Sequence, residues 1–286
     1  MEQENTNKAY NAAPWNQERD IQQRLEYKSE KVMLYGENPF DVINAGDTHR
    51  LAQVMERSEC GLCGKSRMYY CYTCYIPLDT TSHIIPKMVQ RLPCKVDIIK
   101  HPREVDGKST SAHAKVICPS DVRIFTCPDV PDYKSSSNVE GELVLLVYPG
   151  KDAQTLDDRL PNLNALKTKR LSVEDDTEMV IPNVRVVFVD STWNQTARIL
   201  KHPRIKNLPK VKIDDRETIF WRYQTGKSKQ HLATIEAIYY FLVDYHTKVL
   251  GKCYGGEYDQ LLFLYKFMYG KIHQLYDRSK LRSYNR

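Results

Sequence analysis

The sequence has no apolar run approaching the roughly 20 residues that a membrane-spanning helix needs, so no membrane association is expected. It also lacks a secretory signal, because Met1 to Tyr10 is polar and rich in Glu, Gln and Asn. Without export, its 8 cysteines are expected in a reducing, intracellular setting that favours metal ligation or free thiols over disulfides. No internal repeat and no strong basic import motif is visible.

What is present is an ordinary globular composition, 41% hydrophobic and 27% charged. Its 286 residues suit one large or two modest domains. The net charge of +6 is unevenly placed. Residues 1–59 carry 7 Lys/Arg against 11 Asp/Glu, and the remainder carries 35 against 25. A basic body behind an acidic leader fits a polyanionic partner, nucleic acid being the commonest. A solvated, mildly basic surface has the same composition, and charge alone does not separate the two.

Residues 1–15 have the composition of a disordered leader, and Asn16 to Gly36 is compatible with a helix. A second helix is expected over Asp47 to Arg57, capped by Asp47 or Thr48. Short apolar runs follow at Val96–Lys100, Ala114–Cys118, Leu143–Tyr148 and Val184–Asp190. The last two are near-continuous Val/Leu/Phe/Tyr stretches, as in strands buried on both faces of a parallel sheet. Asp129 to Glu142 reads as a loop, and Ala165 to Pro182 as an insertion or mobile segment. Helices are expected from Ser191 or Thr192 to Lys201, from His231 to Leu250, and from Tyr258 to Asp277. Alternating strands and helices indicate an α/β fold with a mostly parallel sheet flanked by helices. The boundaries expected are a leader at 1–45, a cysteine region at 46–93, an α/β domain at 94–250, and a C-terminal helix with basic tail at 251–286.

The strongest spacing signal is Cys60-Gly-Leu-Cys63 followed, seven residues on, by Cys71-Tyr-Thr-Cys74. Each CxxC turns two thiolates onto one ion, and two such turns complete a tetrahedral four-thiolate zinc shell. A compact zinc knuckle is expected, with Gly61 and Gly64 making its tight turns. Such a closed site leaves no position for substrate, so its role is structural. Cys94, Cys118, Cys127 and Cys253 have no such partners and read as core residues.

The segment Val186-Val-Phe-Val-Asp190-Ser-Thr-Trp193 reads as strand, turn and helix. Ligands in α/β folds bind at the carboxyl ends of strands, near helix N-termini. Asp190 falls at that end, and Thr192 is placed to cap the helix. Simple capping explains both equally well, and Trp193 suits either a stacking role or the core. From Arg198 to His231 ten Lys/Arg face three acids, among them Lys206, Lys210, Lys212, Arg222 and Lys227. Phosphate contacts from such a stretch would be salt-sensitive and largely sequence-independent.

Asp190-Ser-Thr-Trp193, the paired cysteines, Lys100-His-Pro-Arg-Glu104 with Ser109-Thr110, and Arg222 before His231-Leu-Ala-Thr234-Ile-Glu236 form an ensemble. Together they resemble the signature of the DTW-domain family over about residues 55–250. The resemblance implies a fold related to the knotted SPOUT methyltransferases. It also implies transfer of a 3-amino-3-carboxypropyl group from S-adenosylmethionine to N3 of a D-loop uridine in tRNA. Asp190, Thr192 and Trp193 would be catalytic, with Asp190 either taking the N3 proton, or ordering the loop or binding the donor's ammonium while solvent takes it. Tyr148, Pro149, Ser191, Leu208, Thr234 and Glu236 would hold the donor, Tyr148, Pro149 and Leu208 by family architecture alone. Arg103 joins Lys206, Lys210, Lys212, Arg222 and Lys227 as candidate RNA contacts. A nuclear protein is implied, with cytosol as second compartment, acting as a monomer or weak dimer. Two other readings stay open: an RNA methyltransferase of the same fold, and a non-catalytic zinc-containing RNA-binding protein.

Overall fold

A computed structural model describes residues 39–88, 90–133, 142–159, 168–172, 178–221 and 230–275. The expected helix at Asn16–Gly36 and the basic tail therefore lie outside the described residues, as do Arg222 and Lys227. Residues 42–286 form one compact unit.

That unit is built on five parallel strands: β5 (Lys95–Lys100), β6 (Val122–Thr126), β7 (Leu143–Val147), β10 (Val184–Asp190) and β11 (Lys210–Val211). Their order across the sheet is β11-β7-β10-β5-β6. The central pair is in register from Arg185 opposite Lys95 to Asp190 opposite Lys100. The chain leaves β5 toward one edge and leaves β10 toward the other. Neighbouring strands whose connections diverge in this way open a crevice at their carboxyl ends, the usual ligand position in an open parallel sheet.

Period-two alternation sends side chains to two cores. On one face Ile99, Leu146 and Val187 pack with Ile199 of helix α3 (Trp193–Leu200) and with Ile205. On the other, Phe188 meets Phe241 of helix α4 (Thr234–Asp244) edge-to-face, with ring centroids 5.9 Å apart. Burying a side chain of this size stabilises the fold by about 1.5–3 kcal/mol. Helix α2 (Ser111–Ile117) packs against α4 on the same side. At the amino-terminal edge Asp97, fully buried, is held by Arg123 at 2.7 Å, Arg185 at 2.9 Å and the Tyr133 hydroxyl at 3.1 Å.

Several local expectations change. The apolar run Ala114–Cys118, whose pattern alone assigned no element, lies largely in α2. Its Ser111-Ala-His-Ala start favours a helical turn, and the next strand is β6. The segment read as an insertion forms an antiparallel pair, β8 (Thr168–Ser172) with β9 (Glu178–Pro182), between β7 and β10. The helix expected over Asp47–Arg57 is a single turn, α1 (His49–Ala52). Helix α4 stops at Asp244 and continues as a π-helical turn over Tyr245–Val249, and the last helix, α5, runs from Phe263 to Leu275.

Two small hairpins carry the paired cysteines: β1 (Ser58–Glu59) with β2 (Ser66–Arg67), and β3 (Tyr70–Cys71) with β4 (Ile76–Pro77). They dock on the α/β core through Tyr69, whose ring lies 4.6 Å from Phe267 of α5, and through Tyr70.

Candidate active site at the carboxyl edge of the sheet

Asp190 is the last residue of β10, and its main-chain carbonyl accepts the His101 N–H at 2.9 Å, extending the β5 pairing by one step. The residue is 4% exposed. One carboxylate oxygen accepts the hydroxyls of Ser109 at 2.7 Å and Ser111 at 2.9 Å; the other accepts the Thr234 hydroxyl at 2.7 Å. Beside them the Ile235 N–H donates to the Thr110 hydroxyl at 3.3 Å. A buried carboxylate needs such donors to replace water. Here they come from two places: the start of α2 with the loop before it, and the first turn of α4.

The turn after Asp190 is shaped by capping. Thr192 is extended (φ −64°, ψ 150°), and its N–H donates to the Gln195 side-chain carbonyl at 3.4 Å, the reciprocal half of a capping box. The Ser191 and Thr196 hydroxyls are 2.9 Å apart. The Trp193 side chain lies outside the described residues.

A cavity of about 450 Å³ opens beside this turn, within the size range of small-molecule pockets. Val147, Tyr148 and Pro149 at the end of β7, with Val189 of β10 and Ser191 just after it, line one part of it. Lys212 to Arg216, following β11, line another part. Gln230 to Leu232, Thr234 and Ala237 close it from α4. Both α3 and α4 begin at the cavity, so their N-terminal dipole ends favour negative charge there. The wall carries charge of both signs: Lys212 and Asp215 are exposed, Asp214 pairs with Lys248 at 2.9 Å, and Arg216 pairs with Asp244 at 2.7 Å. Burial raises the Asp244 carboxyl, an effect that Arg216 opposes.

Of the expected donor-binding residues, Tyr148, Pro149, Ser191 and Thr234 line this cavity, and so does Lys212 from the basic set. Leu208 and Glu236 do not. Leu208 packs against the core around Ile199 and Ile205. Glu236, expected at the donor's amino group, is 1% exposed and turned inward. It accepts the Thr218 hydroxyl at 2.6 Å and the N–H groups of Ile219 at 2.6 Å and Ala233 at 2.7 Å. Arg103 and Lys206 are exposed, whereas Lys210 is held by Asp152 at 2.6 Å. Asp190 itself does not line the cavity, whereas its neighbour Ser191 and its hydroxyl donor Thr234 do.

Sequence reasoning missed Ser111 and left Ser109 without a role. No local pattern singles out either hydroxyl, because the carboxylate they serve lies 81 and 79 residues further along the chain. His101, at the end of β5, accepts the Arg103 N–H on Nδ1 at 3.1 Å. Desolvation, with Arg198 and Arg103 nearby, holds its imidazole below the usual histidine range.

The four cysteine sulfurs lie within 4.8 Å of one another, and Cys63 and Cys71 are 3.6 Å apart. A tetrahedron with metal–sulfur bonds of about 2.3 Å has edges of about 3.8 Å, so the thiols fit one ion. All four are free of disulfides. Burial opposes charge on Cys71, but the N–H groups of Cys74 and Thr73 and the neighbouring thiols outweigh it and bring the thiol down to about 6. Gly64 and Tyr75, each one residue past a CxxC, take left-handed φ values of 65° and 59°. The second turn is therefore made by Tyr75 and not by a glycine, and Gly61 has no positive φ.

A parallel α/β sheet with a small-molecule cavity at the carboxyl ends of β7, β10 and β11, joined to a four-cysteine cluster that could hold one metal ion, defines the class of protein. The DTW domain matches residues 68–273, and the chain belongs to the DTW-domain family. It is similar to tRNA-uridine aminocarboxypropyltransferase 1 of Xenopus laevis, 40% identical over 279 residues that cover 90% of this chain and 88% of that protein. The protein of the same name from Rattus norvegicus is 42% identical, covering 78% and 79% of the two chains. That from Homo sapiens is 39% identical, covering 86% and 87%. No solved structure matches the chain.

Proposed function

We propose that this chain transfers the 3-amino-3-carboxypropyl group of S-adenosylmethionine to N3 of a D-loop uridine in tRNA. The observation that carries the reading is positional: the Asp190-Ser-Thr-Trp193 turn, the signature of the family resemblance, borders the cavity at the carboxyl ends of β7 and β10. The relatives named above support it across most of the chain. In the reaction the N3 proton leaves, N3 attacks the methionine-side methylene, and the carbon–sulfur bond breaks to release methylthioadenosine. Choosing that methylene over the methyl is a matter of orientation in line with the leaving sulfur.

The cavity supports an assignment of parts. Val147, Tyr148 and Pro149 offer an apolar wall for the adenosine. Lys212 suits the donor carboxylate, and Asp215 takes the ammonium role first expected of Glu236. Asp190 fits the ordering role better than that of base, because three hydroxyls already occupy its carboxylate and two of its neighbours form the wall. Solvent then receives the N3 proton. Arg103 and Lys206 are positioned to meet tRNA phosphates from exposed ground. The cysteine cluster holds zinc, whose four-thiolate shell supplies structure and no chemistry. The knotted SPOUT-like thread, a nuclear location and a monomer or weak dimer complete the proposal.

The test uses unmodified tRNA with carboxyl-labelled S-adenosylmethionine. Label entering the RNA is the expected result. Incorporation of methyl label alone would make the protein a methyltransferase. Incorporation of neither would leave a zinc-containing RNA-binding protein.

A further inference from the structure

Three tyrosines of the second cysteine turn reach three points of the segment that serves Asp190. The Tyr75 hydroxyl lies 3.5 Å from Lys100 Nζ, and that ammonium, 8% exposed as a residue, is ion-paired with Asp106. The Tyr72 ring lies over Gly107, so close that a Cβ there would sit 3.4 Å from it. The Tyr70 hydroxyl bonds His113 Nε2 of α2 at 3.0 Å. Ser109 and Ser111, the two donors to one oxygen of Asp190, fall between these anchors.

Tyr75 stands out by its backbone. It is the one non-glycine residue with positive φ among the described residues, and its N–H closes the second cysteine turn on the Cys71 carbonyl at 2.7 Å. The left-handed region is disfavoured for a residue with a Cβ. Gly64 makes the equivalent turn after the first CxxC. A turn that accepts a ring where glycine would do uses that ring.

We propose that Tyr75 is a positioning residue. With Tyr72 and Tyr70 it ties the metal-holding turn to the loop that carries Ser109 and Ser111 to Asp190. Order in the cysteine cluster thereby sets order at the strand end. The cluster is thus a template for the active site as well as a brace for the fold. The proposal rests on the reading above only for the meaning of turnover.

Hydrogen exchange on the full-length, zinc-loaded protein tests it, comparing wild type with Tyr75→Phe and Tyr75→Gly. Tyr75→Phe keeps the packing and removes the hydroxyl; Tyr75→Gly relieves the backbone and removes the ring. Both are expected to bind zinc at wild-type stoichiometry and to keep sheet protection. Exchange across 101–111 should rise by about tenfold, the sign of a local opening. Turnover on tRNA should fall roughly tenfold with KM for tRNA unchanged, as misplacement in an active site predicts. Stripping zinc from wild type should loosen 101–111 together with 58–78, before the sheet. Unchanged exchange across 101–111 in both variants and after stripping would overturn the coupling. If wild type transfers nothing while the exchange pattern holds, the functional reading fails and the coupling stands.

Discussion

At the scale of the residue, Asp190 is the pivot, and its hydrogen bonds say what it does. Its two oxygens accept three hydroxyls, so the carboxylate is an assembly point facing away from bulk solvent. Asp190→Asn preserves the shape, and hydroxyl rotors can turn to meet the new amide. Turnover is therefore expected to fall roughly tenfold with donor binding weakened in parallel, since the same wall serves both. Complete loss of transfer with intact donor binding, read by calorimetry, would instead make Asp190 the base. This geometry was partly legible. The strand-end aspartate and its capping threonine follow from strand–turn–helix chemistry. Ser111 did not, because nothing in a one-dimensional pattern places a hydroxyl beside a carboxylate 79 residues away.

Among elements, the start of α4 shows how a local signal is redirected by packing. An acidic residue in a first helical turn suits the dipole and can equally well face a ligand. Glu236 does neither in the open. It joins the segment at Thr218 and Ile219 to the helix entrance at Ala233. Glu236→Ala leaves buried donors without acceptors, which costs about 1–3 kcal/mol for each group. The variant is expected to unfold at lower urea concentration, by about 3 kcal/mol in all, with the slope of the transition unchanged. Helix α2 carries the same lesson in reverse. A five-residue apolar run is equally at home in a buried strand or helix, and its packing against α4 decides for the helix.

For the whole molecule, the junction between cysteine region and core has a pH consequence. His113 is 2% exposed and accepts or donates one bond, to Tyr70, while its Nδ1 has no partner among the described residues. Burial pushes its imidazole down to about 3 from an ordinary value of 6.5. The unfolded chain thus binds a proton below pH 6.5 that the folded chain refuses until about pH 3. Its contribution to stability is present above pH 6.5 and is lost as pH falls, by up to about 1.4 kcal/mol per unit. His113→Gln should flatten the urea-unfolding free energy between pH 6.5 and 4.5 relative to wild type. An equal slope in both proteins would place the acid sensitivity elsewhere. The sequence by itself determined the elements whose physics is local. These are the CxxC turns, where spacing alone brings thiols together, the buried strands, where unbroken apolar runs leave no solvent face, and the capped entry to α3. Tertiary structure alone decided which side chains share a site. Parallel pairing joins β5 to β10 across about ninety residues, and the donors to Asp190 come from 81, 79 and 44 residues away. The physical reason is that a parallel sheet aligns strand ends regardless of the chain between them. Its chemistry is therefore written in the order of the strands, and not in the order of the residues.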